Sequence, residues 1–252
     1  MFYENEKSFQ RYEKKYLTDR SRMKEIVRVL KRHMKADAHD RESMGYKVCN
    51  LYLDTAKGDV FEEALLKPWY REKIRLRSYG YVKGSEDHVF LEMKKKVGGF
   101  VSKRRVRLTA GEAEAFLSRR QEPQDASFMT RQILGEAAYS LQVRKAIPAC
   151  RISYDRVAFV TDESDFVRVT LDTNLRSSAA EGGIRVRPRE ELFMPADFCV
   201  MEVKTSGACP LWLSDLLKEE GLLPQSFSKF VTAGKKERGY DYNAISGAVI
   251  KP

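Results

Sequence analysis

Lys73-Ile74-Arg75-Leu76-Arg77 carries a cation at every second position. In an extended strand successive side chains point to opposite faces, so Lys73, Arg75 and Arg77 line one side while Ile74 and Leu76 line the other. The same alternation recurs. Arg11, Glu13 and Lys15 share a parity, and Glu92 and Lys94 oppose Leu91 and Met93. Lys103, Arg105 and Arg107 oppose Val106 and Leu108, and Arg168, Thr170 and Asp172 oppose Val167, Val169 and Leu171. Glu202 and Lys204 oppose Met201 and Val203. Arginine offers forked donors for phosphate oxygens and lysine a mobile point charge. Carboxylates set among them suit Mg²⁺ or Mn²⁺, which take oxygen ligands and bridge phosphates. The chemistry open to such a face is the binding and transfer of phosphoryl groups.

Any one of these strands could simply turn its charges to water. Their recurrence argues instead for polar faces that look inward. Cations gathered there need counter-charge, because unpaired buried charge is costly. Glu13, Glu92 and Glu202 are too few to supply it, and a polyphosphate chain would. One stretch breaks the pattern: Arg151 and Arg156 fall on opposite faces of a single strand, so parity places only one of them inside.

Composition agrees. The 252 residues hold 46 Lys and Arg against 36 Asp and Glu, a net charge of +10 that favours polyanionic partners. Hydrophobic residues at 42% and aromatics at 11% are enough for a core, so the chain is expected to be globular. The four cysteines (Cys49, Cys150, Cys199 and Cys209) are scattered without zinc-site spacing, and Cys49 and Cys199, beside apolar strand residues, read as buried free thiols. The first residues lack the apolar stretch of a signal peptide. No window approaches the roughly 18 apolar residues of a membrane span. A cytoplasmic protein is expected.

The elements that must position these residues follow from periodicity. Strands are expected at 10–17, 46–54, 70–79, 88–96, 101–108, 150–160, 166–172, 184–187 and 198–204. Thr18 or Asp19 should cap a helix with an apolar stripe of Met23, Ile26, Val27 and Leu30. Its basic face, Arg22, Lys24, Arg28, Lys31 and Arg32, reads as solvated, with membrane or partner docking as the rival. A second helix begins at Thr109, with Glu112 at capping-box spacing. A third covers 127–141 on a stripe of Met129, Ile133, Leu134 and Ala137. Pro210 opens a fourth, carrying Leu211, Leu213, Leu216 and Leu217 and closed by Gly221. Ser226 should cap a last short helix, and the tail after about residue 240 should fray. Without linker or repeat, residues 1–252 read as one α+β domain. Its antiparallel strands would close into an eight-stranded β-barrel or tunnel with helices packed outside.

These residues resemble the VTC domain, the catalytic domain of the yeast vacuolar transporter chaperone complex, in a compact bacterial form. That family is one of the triphosphate tunnel metalloenzymes. The shared segments run from Arg11-Tyr-Glu-Lys-Lys-Tyr16 to Ser226-Phe-Ser-Lys-Phe230. Between them stand Tyr52-Leu-Asp54, Ile74-Arg-Leu-Arg-Ser-Tyr-Gly80, Leu91-Glu-Met-Lys94, Tyr154-Asp-Arg-Val-Ala-Phe159, Val167-Arg-Val-Thr-Leu-Asp-Thr-Asn174 and Met201-Glu-Val-Lys204. Their order and spacing are specific where each alone is weak. The resemblance implies synthesis of inorganic polyphosphate from ATP inside a tunnel of eight antiparallel strands. It implies that Lys15, Arg75, Arg77, Lys94, Lys103, Arg156, Arg168 and Lys229 bind phosphate, with Arg75, Arg77, Lys94 and Arg156 on the ATP triphosphate. Glu202 would be the principal ligand of Mn²⁺ or Mg²⁺, with Glu13 and Glu92 nearby, and Tyr52 and Asp54 lie beside the tunnel. Ser226 stands where the yeast domain has lysine, which removes one phosphate contact.

Phosphoryl transfer asks a protein mainly to position groups and stabilise spread charge. The attacking terminal phosphate of a growing chain is already ionised at neutral pH, so the scattered His33, His39 and His88 are not needed as bases. Three rivals stand beside a polymerase. One is hydrolysis of triphosphate or nucleoside triphosphate in the same tunnel. Another is a non-catalytic polyphosphate-binding module, which has less use for the carboxylates. Nucleic-acid binding ranks last, because RNA platforms expose aromatics on the sheet and these carboxylates would repel a nucleic-acid backbone. ATP and polyphosphate are therefore the expected partners, with a membrane-protein partner for product export.

Overall fold

The computed structural model describes residues 12–37, 45–161, 166–180, 183–187 and 189–239. The chain opens with β1 (Tyr12–Asp19), α1 (Arg20–His33), β2 (Lys35–Ala36), β3 (Tyr46–Asp54) and α2 (Asp59–Leu66). It continues through β4 (Tyr70–Tyr79), β5 (His88–Val97), β6 (Phe100–Thr109), α3 (Ala110–Arg119) and α4 (Phe128–Arg144). The remainder is β7 (Ile147–Val160), β8 (Val167–Ala179), β9 (Glu191–Leu192), β10 (Phe198–Thr205), α5 (Leu211–Glu219) and α6 (Lys229–Glu237). The class is α+β, with an antiparallel sheet whose hydrogen-bonded path has eight strands in the order β1-β10-β8-β7-β3-β4-β5-β6; β2 and β9 pair off that path.

The residues form two compact units interleaved along the chain. The first takes residues 1–46, 155–174 and 195–227, so it holds β1, α1, β10, α5 and one half each of β7 and β8. Its sheet register sets Tyr16 opposite Met201 and Met201 opposite Leu171, with Val203 and Val169 in the next row on the same face. That apolar face packs against Ile26 and Leu30 of α1 and Leu213, Leu216 and Leu217 of α5. Asp19 caps α1 by accepting from the amides of Ser21 and Arg22, each at 2.9 Å.

The second unit takes residues 47–154, 175–194 and 228–252. Here Leu51, Leu53, Ile74, Leu76, Leu91, Met93, Val106 and Leu108 form the apolar sheet face, under Phe116 of α3 and Ile133, Leu134, Ala137 and Leu141 of α4. Each large apolar side chain removed from water contributes roughly 1.5–3 kcal/mol, so the period-2 pattern is strongly held in register. Gly98 and Gly99, at φ +54° and +110°, form the two-residue turn between β5 and β6, where positive φ matches the twist of the flanking strands. The Thr109–Glu112 capping box is present at the start of α3. Thr109→Ala should lower stability by about 1 kcal/mol, read as a lower urea midpoint at unchanged slope.

Several expectations are corrected. Residues 184–187 form no strand. Gly183 turns the chain at φ +74° and a proline at 188 could not donate to a ladder, so β9 pairs with β8 instead. Ser228, not Ser226, caps the last helix, accepting from the Val231 amide at 3.4 Å. Residues 225–227 are held beside β1, with the Gln225 amide donating to the Lys15 carbonyl at 2.7 Å, so the helix cannot begin sooner. Met129 and Leu211 stand exposed at the first turns of their helices, outside the buried stripes. Helix α2 was not expected. Its amides are capped from outside the helix, with the Asp54 carboxylate accepting from Thr55, Val60 and Phe61 at 2.7–3.0 Å. Arg11, His39 and the tail after about residue 240 lie outside the described residues.

Candidate functional site

In the second unit the polar sheet face is a grid set by strand register. Lys73 of β4 faces Lys94 of β5, which faces Lys103 of β6; the next row is Arg75, Glu92, Arg105, and the third is Arg77, Phe90, Arg107. Beside it β3 contributes Tyr52 opposite Arg75 and Asn50 opposite Arg77. Seven cations thus surround one acid. Like charges stand directly opposite each other in the Lys73–Lys94–Lys103 row, which concentrates positive charge on this face.

Glu92 is buried and serves as the hub. Arg75 donates to it through Nε at 2.8 Å and Nη2 at 2.6 Å, Lys103 pairs with it at 2.9 Å, and Arg77 lies 3.7 Å away. Burial alone would raise the carboxyl, but Arg75, Arg77 and Lys103 outweigh it and hold the group far below the ordinary carboxylate range. Arg75 also donates to the Tyr52 hydroxyl at 2.7 Å, and Arg77 donates to the Asn50 side-chain oxygen at 3.0 Å. Burial works against the Arg75 charge, yet Tyr52 and Glu92 more than offset it. Lys103 shifts the other way. Desolvation lowers it to about 8 against the pull of Glu92, with Arg77 and Arg75 adding to the fall.

Helix α6 abuts this face. Phe230 stacks on Tyr52 with ring centroids 4.7 Å apart, Lys73 lies 5.2 Å from the Phe230 ring, and Lys229 lies 4.7 Å from the Tyr154 ring. Asp54, next to Tyr52 in the motif, is a helix cap and not a wall residue.

The first unit carries the other half of the expected set. Glu13, Lys204 and Arg168 share one row, and Lys15, Glu202 and Thr170 the next, all on the face opposite the apolar core. Lys204 bridges the acids, 2.7 Å from Glu202 and 3.8 Å from Glu13. Lys15 pairs with Glu13 at 3.4 Å and donates to the Phe227 carbonyl at 3.0 Å. Arg156 donates twice to the buried Asp172, at 2.6 and 2.8 Å, and Arg168 pairs with Asp37. Arg156 therefore belongs with the polar face through Asp172. Arg151 sits in the second unit instead, lining a pocket with Cys49, Ser78, Tyr81 and Glu190.

The register thus gathers Arg75, Arg77, Lys94, Lys103 and Glu92 in one unit and Lys15, Glu13, Glu202, Arg168 and Arg156 in the other, with Lys229 on α6. Asn50 and Asp37 escaped sequence reasoning, and Phe230 stood there only as the end of a motif. Asn50 shares the parity of Tyr52, which a search for alternating charge ignores because neither is charged. Among the described residues, no group of three or more His, Cys, Asp or Glu side chains is placed to hold a metal. Glu13 and Glu202 do converge on one ammonium group, so this pair fits a divalent ion that takes its remaining ligands from phosphate and water. His33 stacks on Trp212 at 4.4 Å and has a packing role.

No curated protein is detectably similar to the chain in sequence. Several solved structures share its fold, two of them as follows. A provisionally named adenylate cyclase from Bacillus halodurans superposes with a TM-score of 0.50 at 15% identity, over 91% of this chain and 96% of that one. A provisionally named adenylyl cyclase from Hippeastrum with a dominant triphosphatase activity superposes with a TM-score of 0.50 at 15% identity, over 89% and 95%. The VTC domain family matches residues 10–237. With nearly the whole length covered and the motif residues set on two polar sheet faces, the chain belongs to the VTC domain family.

Proposed function

We propose that this protein is a polyphosphate polymerase that transfers the γ-phosphoryl group of ATP to the end of a growing inorganic polyphosphate chain. The observation that carries the reading is the cation grid around Glu92. Its lysine row concentrates positive charge on one sheet face, and its arginines are pinned in fixed orientation by Glu92, Tyr52 and Asn50. Pinned donors lose little freedom when phosphate arrives, which is how a preorganised site stabilises developing charge.

In this reading the ATP triphosphate lies against Arg75, Arg77 and Lys94. An ionised oxygen of the chain's terminal phosphate attacks the γ-phosphorus. A new P–O–P bond forms there, the bond from the γ-phosphorus to the β,γ-bridging oxygen breaks, and ADP leaves with that electron pair. Arg75 and Arg77 neutralise charge spreading over the transferred group, and Lys103 and Lys94 lead the lengthening product along the wall. Glu202 and Glu13 would hold Mn²⁺ or Mg²⁺, whose chemistry is to withdraw charge from phosphate oxygens.

The test is to incubate the purified chain with ATP and Mn²⁺, with and without a short phosphate primer. Products are resolved on a polyphosphate-stained gel while ADP and free phosphate are quantified. A ladder with ADP and little free phosphate is expected. Free phosphate without chains would make the protein a triphosphatase, the reading that the fold likeness to the Hippeastrum enzyme favours. Polyphosphate binding with neither product would leave a non-catalytic binder.

The Lys103 value adds a pH dependence. An ammonium group lowered to about 8 is charged below that pH and neutral above it. Polyphosphate affinity should therefore fall by about tenfold as pH rises from 7 to 9, the worth of one charge-assisted hydrogen bond. Lys103→Gln should bind more weakly at pH 7 and lose this inflection in a fluorescence-anisotropy titration.

A further inference from the structure

Six apolar side chains stand in solvent at one end of the β4–β5–β6 sheet. Leu66, Trp69 and Phe100 are 75%, 76% and 83% exposed, and Tyr70, Val97 and Val101 lie close to or above half-exposed. Tyr70, Val97, Phe100 and Trp69 are contiguous, and Val101 stands on the opposite face of the same hairpin. Tyr70 faces Val97 and Val97 faces Phe100 across the strands. The Gly98 amide donates to the Trp69 carbonyl at 2.9 Å, and the indole lies over Gly98 so closely that a Cβ there would clash with the ring.

This patch does not continue the core. Lys95, Glu72, Glu136 and Arg104 stand between the two, with Lys95–Glu136 at 2.6 Å, Arg104–Glu136 at 3.0 Å and Lys95–Glu72 at 3.5 Å. On the other face of the hairpin Arg71, Lys96 and Val101 share a row, and the row behind it is Lys73, Lys94 and Lys103. An aromatic tip thus emerges from a collar of cations, on a chain of net charge +10. Apolar patches rimmed in this way mark interaction surfaces. Trp, Tyr and Phe favour the headgroup layer of a bilayer, and nearby Lys and Arg are drawn to anionic lipid.

We propose that the β5–β6 hairpin tip, with Trp69, is a peripheral membrane anchor that buries Trp69 and Phe100 among the headgroups of an anionic bilayer. Apolar insertion and basic attraction are the two signals that stable surface anchoring requires. Flexible lysines around an aromatic tip match a fluid anionic surface better than the fixed hydrogen-bonding groups of a protein partner. Lys103 lies two positions on from Val101, about 7 Å along a strand. The anchor would therefore hold the lysine row close to the membrane. That consequence rests on the proposed function, whereas the anchor itself does not.

The experiment is vesicle flotation of the full chain, without ATP, so that its outcome is independent of enzymatic activity. Vesicles of phosphatidylcholine alone are compared with vesicles containing phosphatidylglycerol. The chain has two tryptophans, so a Trp212→Phe background leaves Trp69 as the fluorescent reporter. Binding is expected to the anionic vesicles, with a blue-shifted Trp69 spectrum quenched by brominated acyl chains. Phe100→Ser and Trp69→Ser should each lower the bound-to-free ratio by about tenfold or more at unchanged melting temperature. Phe100→Ser alone suffices if loss of Trp69 loosens the turn. The proposal is overturned by absent vesicle binding, or by binding that leaves Trp69 unshifted and both variants unaffected, which would mean charge attraction elsewhere. A concentration-dependent dimer abolished by Phe100→Ser, without lipid binding, would equally overturn it and make the tip a self-interface.

Discussion

Glu202→Gln is expected to lower kcat by about 100-fold or more, since even partners behind metal ligands cost 10–100-fold. Polyphosphate binding should be largely spared. Glutamine keeps the shape of Glu202 and can still accept from Lys204, now 2.7 Å from the carboxylate, but it loses the charge that a divalent ion needs. Glu202 lies opposite Lys15 and Thr170 in the register and stands outside the apolar core, so the melting temperature should hold. Two readouts separate the cases: Mn²⁺ titration by calorimetry and steady-state turnover. Loss of both with retained polyphosphate affinity supports the assignment. Full activity in the variant would remove Glu202 from the reaction.

Glu92→Gln has the second large effect, on the fold. The variant strips the counter-ion from Arg75, Arg77 and Lys103 at once, and breaking a buried pair by removing one partner costs roughly 3–5 kcal/mol. The carboxyl is depressed far below its ordinary value of 4.5. Its stabilisation is thus fully present above that pH and lost only as pH falls toward the depressed value. At neutral pH the whole contribution is at stake. Melting should drop in the free protein and recover with added polyphosphate, which supplies the missing negative charge and stabilises by mass action. A variant that melts like the parent but no longer binds Mn²⁺ would make Glu92 a metal ligand and not the hub of the cation grid.

Both experiments probe residues whose side of the sheet is legible in the amino-acid sequence. Lys73, Arg75 and Arg77 must share a face because strand geometry alternates, and Ile74 and Leu76 must face a core. The helices over the two units' cores are legible too, as at Asp19, Thr109 and Gly221, where the capping groups lie within a few residues of what they cap. Helix α2 is not, because Asp54 caps it from the end of β3, six and seven residues before the amides of Val60 and Phe61. The cap expected at Ser226 is displaced by a tertiary contact: the stretch is extended because Gln225 bonds to Lys15, more than two hundred residues away.

The sequence by itself determined parity, amphipathic stripes, the excess of positive charge and, through its motifs, the family. Partnership was decided only in the tertiary structure. That Arg156 belongs to Asp172, Arg168 to Asp37 and Arg75 to both Glu92 and Tyr52 depends on strand register and on which strands lie side by side. The same holds for the exposed tip. Trp69 and Phe100 are apolar residue types like those of the core, and only the ion pairs of Lys95, Arg104 and Glu136 across β5, β6 and α4 end the core before it reaches them. Local geometry sets which way a side chain points, whereas long-range pairing sets what it meets there.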